Sequence, residues 1–174
     1  MKVVDGGGKW GTVAQHHMKH TSSRPLSEGD EVFLGTHHPK LDDKGRLFLP
    51  AKFREQLQGG LVMTKGHEHS LLVFPRHEFE TYAAALQAAP QSNKAARDYV
   101  RVVLAAASDE IPDRQGRVTV PGTLRAYAGL RKDCIVIGTG ARIEIWDSER
   151  WAEYIGDQED VYADLSEEVV PGVM

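Results

Sequence analysis

Two short stretches concentrate the side chains that could do chemistry. Lys40 to Arg54 carries Lys40, Lys44, Arg46, Lys52 and Arg54 against Asp42 and Asp43. Glu110 to Lys132 carries Arg114, Arg117, Arg125, Arg131 and Lys132 against Glu110 and Asp113. In each stretch an aspartate stands four residues ahead of an arginine: Asp42 before Arg46, Asp113 before Arg117. A guanidinium stays charged and offers its donors as a planar fork, so the chemistry on offer is binding. The net charge of −4 hides this, because Glu144 to Glu168 is dense in acids and holds Arg150 as its single base. Charge is segregated along the chain, and local patches decide partners more than the sum does.

Catalytic signatures are missing. There is no GxSxG, no phosphate-binding P-loop, no GxGxxG after a strand and no HExxH. Gly6-Gly7-Gly8 lacks the Lys-Ser/Thr that a phosphate loop needs. The chain is therefore expected not to be an enzyme and to carry no cofactor. His16, His17, His20, His37, His38, His67 and His69 have tempting local spacings, but no cysteine pairs accompany them, and no metal is expected. The single cysteine, Cys134, excludes an intrachain disulfide and suits a reducing cytoplasm. Its setting, Asp133 to Ile137, reads as a buried strand, which would leave the thiol inert. No run approaches the ~20 apolar residues of a membrane span, and Met1 to Gly11 lacks the apolar core of a secretory signal.

The elements that must position the charged residues come from a repeat. Asp42, Gly45, Arg46, Pro50 and Arg54 match Asp113, Gly116, Arg117, Pro121 and Arg125 at a constant offset of 71 residues. After a one-residue slip, Gly66 meets Gly138, and Leu71 to Phe74 meets Ile143 to Trp146. Gly45 and Gly116 sit where a tight turn needs positive φ, opening strands Arg46 to Leu49 and Arg117 to Val120. Pro50 and Pro121 cannot donate to a ladder and should close those strands. Ala51 to Leu57 then reads as a short helix with Phe53 and Leu57 on one face. Further strands are expected near Leu61 to Lys65, Leu71 to Phe74, Cys134 to Gly138 and Ile143 to Trp146. Phe79, Tyr82 and Leu86 make a helical stripe, Ser92 or Asn93 caps a helix through Tyr99 and Leu104, and Asp147 caps another with Trp151, Tyr154 and Ile155 on one face. These boundaries give a flexible extension at 1–31, a first unit at 32–78, connecting helices at 79–106, a second unit at 107–150, and a C-terminal helix with an acidic tail at 151–174.

A lone Asp-x-x-x-Arg is a weak signal. The longer string, D-x-x-G-R-φ-x-φ-P-x-x-φ-R with φ apolar, is specific, and it resembles the AbrB-type swapped-hairpin DNA-binding domains. Two such units with Phe33-Leu34-Gly35 before the first resemble the MraZ family of transcriptional regulators, over roughly Phe33 to Tyr154. The resemblance implies a β-rich α+β fold, a double swapped-hairpin barrel with peripheral helices, assembled as a ring-shaped homo-oligomer. It implies a cytoplasmic, nucleoid-associated repressor of its own division and cell-wall operon, bound to double-stranded DNA at tandem TGGG-type boxes. In that scheme Arg46 and Arg117 face guanine O6 and N7 in the major groove, within turns formed by Lys44-Gly45 and Gly116. Asp42 and Asp113 either orient those guanidinium groups or hold the turns through backbone bonds. Lys40, Lys44, Lys52, Arg54 and Arg114 are the expected phosphate contacts. Lys44 is replaced by Gln115 and Asp43 by Arg114, so the halves need not touch DNA alike. The alternative is an AbrB-type antitoxin-like interaction module, with the acidic end from Asp157 to Glu168 as a partner-binding tail and DNA binding secondary.

The extension carries one further expectation. Trp10-Gly11 forces TGGGG in the gene, and Val32 can be encoded by the start codon GTG. Residues 1–31 are thus expected to be a translated operator region, with the native chain often beginning at position 32.

Overall fold

The computed structural model describes residues 32–165. The expectations for 1–31 and for the end of the acidic tail lie outside them. The fold is α+β. Strand β1 (Phe33–His37) leads to β2 (Arg46–Phe48), a 3-10 turn (Ala51–Phe53) and the short helix α1 (Arg54–Leu57). Strands β3 (Leu61–Lys65) and β4 (Leu71–Pro75) form a hairpin, followed by α2 (Arg76–Gln87) and α3 (Lys94–Ala106). The second half repeats the order with β5 (Ser108–Glu110), β6 (Arg117–Thr119), α4 (Gly122–Ala128), β7 (Cys134–Gly140), β8 (Ile143–Asp147) and α5 (Ser148–Ala163).

The halves are interleaved by strand exchange. One antiparallel sheet runs β1-β7-β8-β4-β3-β5, so the first strand of each half pairs with the third strand of the other. Strands β2 and β6 make a separate two-stranded ribbon. These strands do not close the expected swapped-hairpin barrel: the six-stranded sheet is open, with β1 and β5 at its edges. Strand β5 is only three residues of polar Ser108-Asp109-Glu110, and β2 and β6 pair with each other and not with the edges of the sheet.

Alternation places one core between sheet, ribbon and short helices. Phe33, Leu47, Phe53, Leu57, Met63, Val118, Leu124, Val136 and Ile145 are all buried in it, and Phe33 meets Phe53 edge-on at 5.1 Å. The helical stripes are packing surfaces. Phe79 and Tyr82 lie against Phe74 at 5.7 and 4.9 Å, while Trp151 and Tyr154 lie against Trp146 at 5.4 and 5.0 Å. Asn93, rather than Ser92, caps α3 by accepting from Ala96 N. Asp147 caps α5 by accepting from Glu149 N and Arg150 N at 3.2 and 3.4 Å. The stretch expected as one helix from Ala51 divides into a 3-10 turn, in which Phe53 N donates to Pro50 O at 2.8 Å, and a single α turn.

Candidate functional site

The ribbon is a short antiparallel pair with a local two-fold. Arg46 lies opposite Thr119, Leu47 opposite Val118 and Phe48 opposite Arg117. Two further bonds extend it symmetrically: Leu49 N donates to Gly116 O at 2.9 Å and Val120 N to Gly45 O at 2.8 Å. Side chains alternate across a strand. Leu47, Leu49, Val118 and Val120 face the core with at most 1% exposure, so Arg46, Phe48, Arg117 and Thr119 share the other face.

Each arginine is held by its own turn. Asp42 N donates to Arg46 O at 2.8 Å, and Gly45 N donates to Asp42 O at 2.9 Å. One carboxylate oxygen of Asp42 accepts from Lys44 N and Arg46 N, both at 2.9 Å, and the other accepts from Arg46 Nε at 2.8 Å. The second turn repeats this closely: Asp113 accepts from Gln115 N at 2.9 Å, Arg117 N at 3.0 Å and Arg117 Nε at 2.7 Å. Arg117 Nη2 also lies 2.7 Å from the same carboxylate. The two roles considered for these aspartates are therefore carried by the two oxygens of one group. Backbone N–H donation from Arg46, helped by its side chain, holds the Asp42 carboxyl below the ordinary range, and Arg117 does the same for Asp113.

Sequence reasoning missed the latch that joins the two turns. Gly45 and Gly116 have φ of +74° and +76°, the left-handed region that favours glycine. A Cβ at Gly45 would lie 2.7 Å from Arg125 Cζ, and one at Gly116 would lie 2.5 Å from Arg54 Nε. The arginine of each half thus packs on the glycine turn of the other. Arg54 Nε also donates to Leu49 O at 2.9 Å, while the residue stays exposed. The signal was available: Arg54 and Arg125 occupy equivalent repeat positions, which ties them to the fold as readily as to a ligand.

The other expected residues are dispersed around this centre. Lys44, Lys52 and Arg114 are exposed. Lys40 Nζ contacts Asp133 Oδ1 at 2.6 Å, where the chain after β1 runs beside the start of β7. Arg131 is bound to the buried Asp147 and to Glu149 at 2.8 and 2.7 Å. Burial pushes the Cys134 thiol up to about 11. His16, His17 and His20 lie outside the described residues. His37 packs edge-on to Phe53, His67 stacks on Tyr99 and His69 lies against Tyr127. Among the described residues no group of three His, Cys, Asp or Glu side chains gathers as a metal site, and no helix is long and apolar enough to cross a membrane.

A guanidinium has five N–H donors. With the Nε side of each arginine on its aspartate, the Nη edges remain for a second planar acceptor, and the two arginines share one face of a ribbon narrow enough to enter a DNA major groove. Comparison with known proteins agrees with the internal repeat. The family described as "MraZ protein, putative antitoxin-like" matches twice in succession, at residues 32–102 and 103–169. A protein of Thermobifida fusca (strain YX) named transcriptional regulator MraZ is 62% identical over 143 residues, covering 82% of this chain and 100% of the relative. Relatives of the same name from Parafrankia sp. (strain EAN1pec) and Micrococcus luteus are 59% and 56% identical, each covering 82% of this chain and 100% and 99% of the relative. The name they carry is that of a regulator, not an enzyme. With both halves matched to one family model and whole relatives aligned at this identity, the chain belongs to the MraZ family.

Proposed function

We propose that this chain is a sequence-specific DNA-binding transcriptional regulator, a repressor of its own division and cell-wall operon that binds tandem TGGG-type boxes ahead of its gene. One observation carries the reading: two arginines, each oriented by a carboxylate, stand on the same outward face of a two-stranded ribbon. Arginine offered edge-on is the commonest partner of guanine O6 and N7, and aspartate fixation removes the freedom that binding would otherwise have to freeze. The names of the relatives support the regulatory role.

In this reading the strand exchange is a swapped-hairpin architecture within one chain, and Lys40, Lys44, Lys52, Arg54 and Arg114 touch phosphates around the ribbon. The protein works in the cytoplasm on nucleoid DNA. It assembles with itself into a ring, for which the open edges β1 and β5 offer pairing groups.

The test is a titration at two salt concentrations, with a duplex carrying three tandem boxes and a scrambled duplex of equal length. Tight binding to the boxes alone, weakening with salt, supports the proposal. A folded protein with no preference at either salt overturns it in favour of the antitoxin-like module. That second reading draws on the far end of α5, where Val161 and Tyr162 are exposed among acids.

A further inference from the structure

The ribbon's two-fold relates Arg46 to Arg117, but it relates Phe48 to Thr119. This is where the symmetry of the outward face breaks. Phe48 is 44% exposed, while its neighbours Leu47 and Leu49 are 0% and 1% exposed. The register cannot hide it, because a shift by one residue would expose both leucines. Its ring lies 5.8 Å from Arg117 Cζ, directly across the ribbon. Arg46 has the smaller Thr119 in the corresponding place. Burial elsewhere gives Phe48 no role in the core, and an exposed aromatic ring on a charged face has a ready partner in a groove that displays both acceptors and methyl groups.

We propose that Phe48 is a specificity-determining residue, reading the C5-methyl of a thymine that precedes the guanine held by Arg117. The proposal rests on the DNA-binding reading above and names the residue that reads the thymine of the box, which that reading leaves unassigned. Phenylalanine and the threonine methyl are both natural contacts for a thymine methyl in the major groove. The Phe48–Arg117 side presents a large apolar surface and the Thr119–Arg46 side a small one. The two halves of the ribbon therefore discriminate thymine unequally, and the chain has a direction on its operator.

The experiment uses the full-length protein and box duplexes in which deoxyuridine replaces thymine, a change that removes only the methyl group. The wild type is expected to bind the deoxyuridine duplex about fourfold more weakly per contacted methyl, the value for withdrawing one methyl-sized group from an apolar contact. Phe48→Ser should keep only the small preference that Thr119 supplies while still preferring boxes to scrambled DNA. Phe48→Thr, which copies the other half, should retain a reduced preference, and unchanged melting of both variants shows that they are folded. Thr119→Phe should add a second thymine dependence. Box preference with equal wild-type affinity for thymine and deoxyuridine overturns this proposal alone, as does a methyl preference undiminished by Phe48→Ser. Absence of any box preference overturns the DNA-binding reading and this proposal with it.

Discussion

Replacing Gly45 with alanine tests the latch between the two halves. At φ +74° an L-residue costs about 1–2 kcal/mol relative to glycine. The new methyl would also stand 2.7 Å from Arg125 Cζ and 2.8 Å from its Nη1, about 1 Å inside the separation at which carbon atoms attract. Arg125 must give way, and its Nε is buried, so the shift disturbs packing and adds about 1 kcal/mol. The expected loss is about 2–3 kcal/mol, or roughly 5–10 °C in melting temperature for a chain of this size. Melting should be compared at one protein concentration, because self-association makes an apparent melting temperature concentration-dependent. The decisive version is a double-mutant cycle with Arg125→Ala. If the methyl collides with this guanidinium, the double variant loses about 1 kcal/mol less than the sum of the singles. Gly116→Ala paired with Arg54→Ala should behave alike, since its Cβ meets Arg54 at 2.5 Å. A Gly45→Ala protein that melts within about 1 °C of the wild type, or a strictly additive cycle, refutes the latch.

Arg46→Ala or Arg117→Ala should weaken box binding by about 1–3 kcal/mol per lost base contact and leave melting nearly unchanged; equal loss on scrambled DNA would reassign them to phosphates. Acid should act on the two turns. Asp42 and Asp113 are more acidic folded than unfolded, so their contribution to stability is complete above the ordinary carboxylate value near ~4 and disappears as pH falls through the lowered native values. Melting temperatures followed from pH 6 towards 3 should fall less steeply in Asp42→Asn/Asp113→Asn than in the wild type, and parallel curves would count against the assignment. Asp147→Ala removes the cap of α5 and the buried partner of Arg131; a loss of about 1–2 kcal/mol is expected in denaturant unfolding, with box affinity preserved.

The repeat made much of this fold legible. Glycine at Gly45 and Gly116 announced the turns, alternation set the strands, and proline marked where Arg46–Phe48 and Arg117–Thr119 must end. These are local constraints, so a one-dimensional pattern carries them. Strand β5 was not foreseen, because Ser108-Asp109-Glu110 has no strand-like composition and pairs only through Leu61 to Met63, far away in sequence. The open sheet was hidden for the same reason: closure depends on which distant edges meet. At the site, the Asp-x-x-x-Arg spacing pointed to both arginines, and its two oxygens now account for turn and orientation together. The position of Arg54 could not be read from charge. That Arg54 lies over the glycine turn of the other half follows from the exchanged packing of the halves, which charge alone does not encode.

Whether Arg46 and Arg117 take guanine by its major-groove edge is measured directly by affinity for a box duplex in which 7-deazaguanine replaces guanine, deleting the N7 acceptor and leaving base pairing intact. Binding should weaken about tenfold or more, as for a lost hydrogen bond to a charged donor. With Arg46 and Arg117 both alanine, the 7-deazaguanine duplex should bind no more weakly than the guanine duplex. Equal affinity of the wild type for guanine and 7-deazaguanine boxes would contradict that contact.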